Sequence, residues 1–253
     1  MTLKQINPHM PAVKLLTLQQ FGFFLAGLMD ADGHINKLGY TVIAFHRRDT
    51  SVAYYIKSVV GYGKVHNHAT KKAACYICSH SAGNRFIAHL IHNKLINPVR
   101  VMQYNSRWVP KVSVTKTTPD KLCLNNHWLA GFIQGDGSFQ IKVVAKAGGD
   151  EIRLVVQIDQ KHMHVLDQIH ALLGGYLGHR VSQNTYYYSS VSFGRAAKFI
   201  AYLDAHTVMG SCLTLYWMWR KCYIIVQQAG HLNQSEIQRI VKIKAQMSRL
   251  RQN

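Results

Sequence analysis

One nine-residue segment occurs twice in this chain, and that duplication limits the available folds more than any other feature. Leu25-Ala26-Gly27-Leu28-Met29-Asp30-Ala31-Asp32-Gly33 returns as Leu129-Ala130-Gly131-Phe132-Ile133-Gln134-Gly135-Asp136-Gly137, an offset of 104 positions. Further on the echo continues at an offset of 113: residues 48–61 align with 161–174, sharing Val52/Val165, Ile56/Ile169 and Gly61/Gly174. Arg85-Phe86-Ile87-Ala88 then aligns with Lys198-Phe199-Ile200-Ala201. The change of offset calls for a longer segment near 144–151 in the second half, where Ala147-Gly148-Gly149-Asp150 reads as a hairpin loop. A repeat of about 110 residues is long enough to be a half-domain with its own fold. The polar, proline-bounded stretch 110–121 reads as the linker, which divides the chain into 1–109 and 122–253.

Each half shows the same order of elements. A helix starts at the N-cap Thr17 and runs to about Asp30; its counterpart starts near Asn125 or Asn126 and ends near Gln134. An alternating strand follows, with Ser138, Gln140 and Lys142 on one face and Phe139, Ile141 and Val143 on the other. A second strand carries Arg153, Val155 and Gln157 on one face, and a helix, two short strands and another helix come next. The last helix is expected to begin at Ser235, capped with Gln238, and to bury Ile237, Ile240, Val241, Met247 and Leu250. The fold class is therefore α+β, with largely antiparallel sheets.

Charge narrows the partners. Lys and Arg number 30 against 11 Asp and Glu, a net charge of +19 over 253 residues. With 48 % hydrophobic residues the chain is no disordered basic tail. Such an excess repels itself unless it meets a polyanion, and nucleic acid is the leading one, ahead of an anionic membrane surface. Five scattered cysteines make no secreted disulfide framework and fit a reducing compartment. The N-terminal stretch resembles neither a signal peptide nor a transit peptide. The longest apolar runs, 21–29 and 213–226, are too short or are broken by Arg220 and Lys221 for a membrane span.

The repeated segment has its own physics. Ala26, Gly27, Ala130, Gly131 and Gly135 let two helices approach closely, although glycine inside a helix costs about 1 kcal/mol relative to alanine. Gly33 and Gly137 suit a helix-ending turn with positive φ. Asp32 and Asp136 are then brought side by side. Two adjacent carboxylates repel each other and together suit a divalent cation such as Mg²⁺, which keeps waters and takes phosphate oxygens as its remaining ligands. Asp30 has Gln134 as counterpart and reads as a helix-end residue rather than a metal ligand.

The two nonamers resemble the paired signature motifs of the LAGLIDADG homing endonucleases, in their monomeric two-motif form. The resemblance covers nearly the whole chain and implies two pseudo-twofold-related αββαββα half-domains with saddle-shaped antiparallel sheets, packed through the motif helices. It implies a Mg²⁺-dependent, site-specific double-strand DNA endonuclease of the intron-homing type, leaving 3′ overhangs on a long asymmetric target; Mn²⁺ or Ca²⁺ can occupy the same sites. It assigns Asp32 and Asp136 as catalytic metal ligands, with Ala31 and Gly135 contributing backbone carbonyls. Gln160 matches the family's active-site glutamine, the repeat sets Arg47 at the same point of the first half, and Arg100 fits a basic position ahead of the closing helices. Cys212 stands where the second half usually has lysine, so the two halves of the site are unequal.

In this family the sheets face the DNA major groove, whose base edges a two-stranded ribbon can read. The expected readers are His34, Asn36, His66 and His68 in the first half. In the second they are Ser138, Gln140, Lys142, Arg153, Gln157, Ser182 and Asn184. Lys37, Lys71, Lys72 and Arg180 are expected on phosphates. Cys75-x-x-Cys78 with His80 lacks a second ligand pair and is read as buried strand cysteines. No phosphate-binding glycine loop is present in the sequence. Alternative readings are an intron maturase acting on RNA, alone or bifunctional, and a DNA-binding regulator with relict motifs. The expected setting is an organelle or a bacterial cytoplasm, with the protein monomeric and off the membrane.

Overall fold

A computed structural model describes residues 5–14, 16–68, 71–146, 150–230 and 233–252. They form two compact units. The first in chain order spans residues 14–136 with 208–210. It contains α1 (Leu18–Ala31), β1 (Gly33–Ile35), β2 (Thr41–His46), α2 (Thr50–Val60), β3 (Lys64–Asn67) and β4 (Ala73–Cys78). It also holds α3 (Ser81–Ile91), α4 (Pro98–Gln103), α5 (Val109–Val112) and α6 (Trp128–Asp136). The other unit takes residues 1–13, 137–207 and 211–253. Its elements are β5 (Gly137–Val144), β6 (Glu151–Gln160), α7 (His164–Leu173), β7 (Tyr176–Arg180) and β8 (Thr185–Ser189), followed by α8 (Phe193–Ala205), α9 (Gly210–Gln227) and α10 (Gln234–Gln252).

Each unit carries one four-stranded antiparallel sheet, ordered β1-β2-β4-β3 and β5-β6-β8-β7. Register makes the repeat visible residue by residue. Gly33 pairs with Ile43, Ile43 with Tyr76 and Tyr76 with Val65. Gly137, Ile158, Tyr188 and Leu177 form the same row in the second sheet. Tyr76 and Tyr188 are fully buried, and each donates its hydroxyl to a carbonyl, of Tyr62 at 2.8 Å and of Gly174 at 2.7 Å. The next residues, Gly63 and Gly175, have φ of 99° and 125° and lie against those rings, so a Cβ would meet ring carbon at 2.7 and 2.6 Å. The rows differ from the sequence alignment by one residue. The connector Gly61-Tyr62-Gly63 is longer than Gly174-Gly175, so Cys75 to Cys78 match Tyr187 to Ser190 rather than Tyr188 to Val191.

The two repeated segments end as the helices α1 and α6, which pack against each other. Thr17 and Gln20 close α1 with a capping box, 3.3 and 3.0 Å. α6 begins later than expected, at Trp128, whose N–H donates to Asn126 Oδ1 at 2.9 Å. The approach is as close as backbones permit. A Cβ on Gly27 would stand 1.9 Å from the Trp128 carbonyl oxygen, and one on Gly131 would stand 1.9 Å from that of Phe24. The two contacts are counterparts at the same offset of 104, so the duplication is a two-fold relation between these helices.

Several local readings are corrected. Neither Gly33 nor Gly137 has positive φ among the described residues. Gly33 is required by crowding instead, because a Cβ there would meet Met29 Sδ at 2.5 Å. Ser235 lies inside α10, and Asn233 caps that helix through Oδ1, 2.9 Å from Ser235 N; asparagine serves as well as serine there. α10 buries Ile237, Ile240, Ile243 and Met247, while Val241 turns outward. Of the hairpin Ala147–Asp150, residues 147–149 lie outside the described residues; the flanking strands close at Val144↔Glu151. The stretch 110–121 starts inside α5 and is tied down at Thr117, which is buried and bonded to Asn93 and Asn105. Among the described residues no helix is long and apolar enough to cross a membrane.

Gly27→Ala and Gly131→Ala are each expected to cost more than about 3 kcal/mol, because backbone rather than a movable side chain stands in the way. Chemical denaturation of each variant against Ala26→Ser, a small change on the same helix, checks this.

Candidate active site at the ends of the paired helices

The helix pair delivers its C-terminal residues to one place. Asp32 is the C-cap of α1, with its N–H donating to the Leu28 carbonyl at 3.0 Å, and Asp136 is the last residue of α6. A Cβ on Gly135 would lie 2.6 Å from Ala31 Cβ and 3.1 Å from Asp32 Oδ2, so both helix ends and the Asp32 carboxylate are in contact there. Asp32 is open to solvent, yet the protein around its carboxyl raises it above the usual range, with the Arg100 charge opposing. Arg100 comes from α4, which Asn97 caps and Pro98 begins. Its Nε donates to the Met29 carbonyl at 3.0 Å. Burial lowers its pKa, and Asp30, Asp136 and Asp32 pull it back up. The charge of one guanidinium is thus coupled to three aspartates.

The third of these is a structural hub. Asp30 is fully buried, and its Oδ2 accepts from Ile96 N at 2.6 Å, Asn97 N at 3.2 Å and Trp128 Nε1 at 3.2 Å. Burial pushes its carboxyl up to about 7 against the pull of those donors and of Arg100. Its counterpart Gln134 performs part of the same task, accepting from Met209 N at 2.8 Å. This bond fixes the repeat at the following helices. Arg100 stands three residues after Asn97 and Cys212 three after Met209, the places that the family resemblance gives them.

Other expected site residues lie elsewhere. Arg47 is exposed in the 3₁₀ turn after β2, where its N–H donates to the Lys72 carbonyl. Gln160 ends β6 opposite Tyr186, and the residue in that row of the first sheet is Phe45, opposite Ala74, not Arg47. Phe45 is buried because it shares the inward face of β2 with Thr41 and Ile43. The counterpart set for Arg47 by the sequence echo is therefore corrected: Arg47 is two residues beyond it.

The sheets' outer faces carry most of the expected base readers. On the first, His34 lies in the row of Val42, Ile77 and Lys64, and His66 in the row of Cys75. His34 is held below its ordinary pKa by burial, Arg100 and Arg107, which favours neutral imidazole. His68 is exposed, with Nε2 3.5 Å from the half-buried Cys75 thiol; Cys78, three residues on, faces inward. Asn36 is partly committed, since its Oδ1 accepts from Leu38 and Tyr40 to close the β1–β2 turn. On the second sheet Ser138 pairs with Gln157, Gln140 with Val155 and Lys142 with Arg153. Arg153 is engaged by Glu151 at 2.8 and 3.0 Å. Arg180 ends β7, and Ser182 and Asn184 lie in the turn that follows. The alternation also brings out Lys64, Asp159, Tyr176 and Tyr187, which the sequence reading passed over; period-two counting along paired strands is the signal that finds them.

Among the described residues no three His, Cys, Asp or Glu side chains gather to hold a metal. The donor set at the helix ends is two carboxylates and nearby backbone carbonyls. That set fits a hard cation that keeps waters and substrate oxygens, and not a closed zinc site. A cation there would also relieve the raised Asp32 carboxyl.

The family model for LAGLIDADG endonucleases matches residues 129–223. A cox1 intron-2 protein of 37.2 kDa from Schizosaccharomyces pombe is 39% identical over 251 residues, covering 95% of this chain and 77% of its own. The crystal structure of the LAGLIDADG meganuclease I-CpaMI bound to uncleaved DNA superposes with a TM-score of 0.71 at 17% identity, over 89% of this chain and 98% of that one. I-SmaMI bound to cleaved DNA gives 0.69 at 20% identity, over 94% and 98%.

Asp30→Ala is expected to cost about 3 kcal/mol or more, because it strands three buried donors, whereas Asp30→Asn keeps an acceptor for them and costs far less. Melting temperatures of the two variants side by side check this. With two complete motifs in one chain and a relative matched over 95% of it, the chain belongs to the LAGLIDADG endonuclease family, in its single-chain two-motif form.

Proposed function

We propose that this protein is a metal-dependent, site-specific endonuclease that cuts both strands of a long, asymmetric DNA duplex and leaves 3′ overhangs. Its family is one of DNA endonucleases. The observation that carries the reading is the meeting of Asp32 and Asp136 at the ends of two abutting helices beside Arg100, in a chain of charge +19.

Each motif aspartate would hold a divalent cation, Mg²⁺ by its chemistry, with the Ala31 and Gly135 carbonyls as further oxygen ligands. When bound, such a cation lowers the pKa of water and stabilises the departing oxyanion of a phosphodiester. A structural relative, I-SmaMI, was solved bound to uncleaved target in the presence of calcium ions, at a TM-score of 0.67. The chain's own residues do the rest. Arg100, pinned to the Met29 carbonyl, places a fixed positive charge beside the carboxylates to draw in and orient a scissile phosphate. Gln160 and Arg47 are polar groups for the flanking phosphates and water. The outer faces of both sheets read bases through His34, Asn36, His66, His68, Ser138, Gln140, Lys142, Arg153, Gln157, Ser182 and Asn184. Lys37, Lys71 and Lys72 take backbone phosphates.

Cys212 in the place that Arg100 takes in the first half makes the halves unequal: a thiol cannot balance a phosphate charge as a guanidinium does. Cutting of the two strands at different rates follows. The half-domains are 1–109 and 122–253, joined by 110–121, and the protein acts as a monomer. The match to a cox1 intron product supports an organellar intron reading frame and intron homing as the biological role. The same match favours a second reading, an intron maturase that binds RNA, alone or alongside cleavage. A splicing assay on the host intron separates the two.

Asp32→Asn and Asp136→Asn are each expected to lower Mg²⁺-supported cleavage by at least about a hundredfold while duplex binding in Ca²⁺ persists. Gel-shift and cleavage assays on the intronless junction measure both. Variants that cut like the parent would refute the metal-site reading.

A further inference from the structure

We propose that Asp159 is a positioning residue for recognition, holding the Arg180 guanidinium across the Tyr187 ring so that its remaining N–H edge reads a guanine. The proposal rests on the endonuclease reading above and names one determinant of its specificity.

Asp159, Tyr187 and Gly178 form one row across β6, β8 and β7, on the outer face of the second sheet. Gly178 has no side chain because Tyr187 lies over it: a Cβ there would stand 2.3 Å from the ring. The Arg180 guanidinium sits on that ring, 4.7 Å from its centroid, and its Nη1 donates to Asp159 Oδ1. Asp159 Oδ2 accepts from Gln157 Nε2 at 2.8 Å, and Gln157 Oε1 accepts from Gln140 Nε2 at 3.1 Å. Gln140 Nε2 also donates to Ser138 Oγ at 3.3 Å. One hydrogen-bonded chain thus crosses the sheet from Ser138 to Arg180.

A carboxylate on a surface that meets phosphates is electrostatically unfavourable unless it has a task. With 11 acids in the whole chain, one placed between an arginine and a glutamine on this face requires a reason. The geometry supplies it. Arg180 has an aromatic plane beneath it and a carboxylate on one nitrogen, which fixes the fork before binding and lowers the ordering cost of recognition. A guanidinium fixed in this way matches the paired O6 and N7 acceptors of guanine in the major groove. About a third of the Arg180 side-chain surface stays accessible, so its remaining donors can meet a ligand. Asp159 need not touch DNA to act.

The experiment selects cleaved sites by the full chain from a duplex library randomised around the target, with base preference scored at every position. The parent should prefer guanine at one or two base pairs of one half-site, and Arg180→Ala should erase that preference. Asp159→Ala should flatten the same base pairs by about tenfold or more and leave the other half-site as in the parent. The double variant should look like Arg180→Ala alone, since the two act as one unit. Gly178→Ala, which displaces the Tyr187 ring while keeping both charges, should weaken the same positions. An Asp159→Ala profile equal to the parent's, or flattening spread evenly over both half-sites, overturns the proposal. A parent that cuts no library member overturns the endonuclease reading and this proposal with it.

Discussion

Everything at the candidate active site depends on how near two backbones can come. α1 and α6 meet with Gly27 against the Trp128 carbonyl and Gly131 against that of Phe24, each at a distance no side chain could share. Glycine in a helix interior is unfavourable by itself, so the cost has to be offset by what the contact achieves. Here it brings together the helix ends that carry Asp32 and Asp136. A wider separation would still give a folded pair of helices, but it would leave two isolated carboxylates with no common metal chemistry.

The repeat is kept in geometry more strictly than in chemistry. Asp30 and Gln134 hold the same place and both accept from the backbone that starts the next helix, yet one is an acid with a carboxyl near 7 and the other a neutral amide. Arg100 and Cys212 likewise share a place and differ in charge. The row built on Tyr76 and Tyr188 is by contrast nearly invariant, because a buried phenol must reach a carbonyl and a glycine must make room for its ring. Hydrogen bonds and steric fit recur at equivalent places of the two halves, whereas charge does not.

Much of this was legible in the residues. The motif repeat, the α+β order, the helix cap at Thr17 and the inward row of Phe139 and Ile141 follow from local rules of spacing and alternation. Errors arose where a local signal had a non-local competitor. Gly33 looked like a turn glycine and is a packing glycine, because its neighbour is Met29. Arg47 falls against Gln160 at the offset of 113 that α2 and α7 keep, whereas the equivalent strand residues Phe45 and Gln160 stand 115 apart. Asp159 and Tyr187 were passed over because neither residue type announces base recognition by itself; their meaning comes from Gly178 and Arg180 on the neighbouring strand.

The sequence by itself determined that there are two copies of one half-domain, that their charge suits a polyanion and that each copy ends its first helix in an aspartate. Those are properties of composition and of short-range periodicity, which any reading of the chain retains. Tertiary structure alone decided that the charge of Arg100 is coupled to three aspartates, that Asp30 is committed to three buried donors, and that Arg180 is fixed between a carboxylate and a ring. These relations join residues tens of positions apart. Strand register and backbone approach set them, and neither quantity is carried by any one segment.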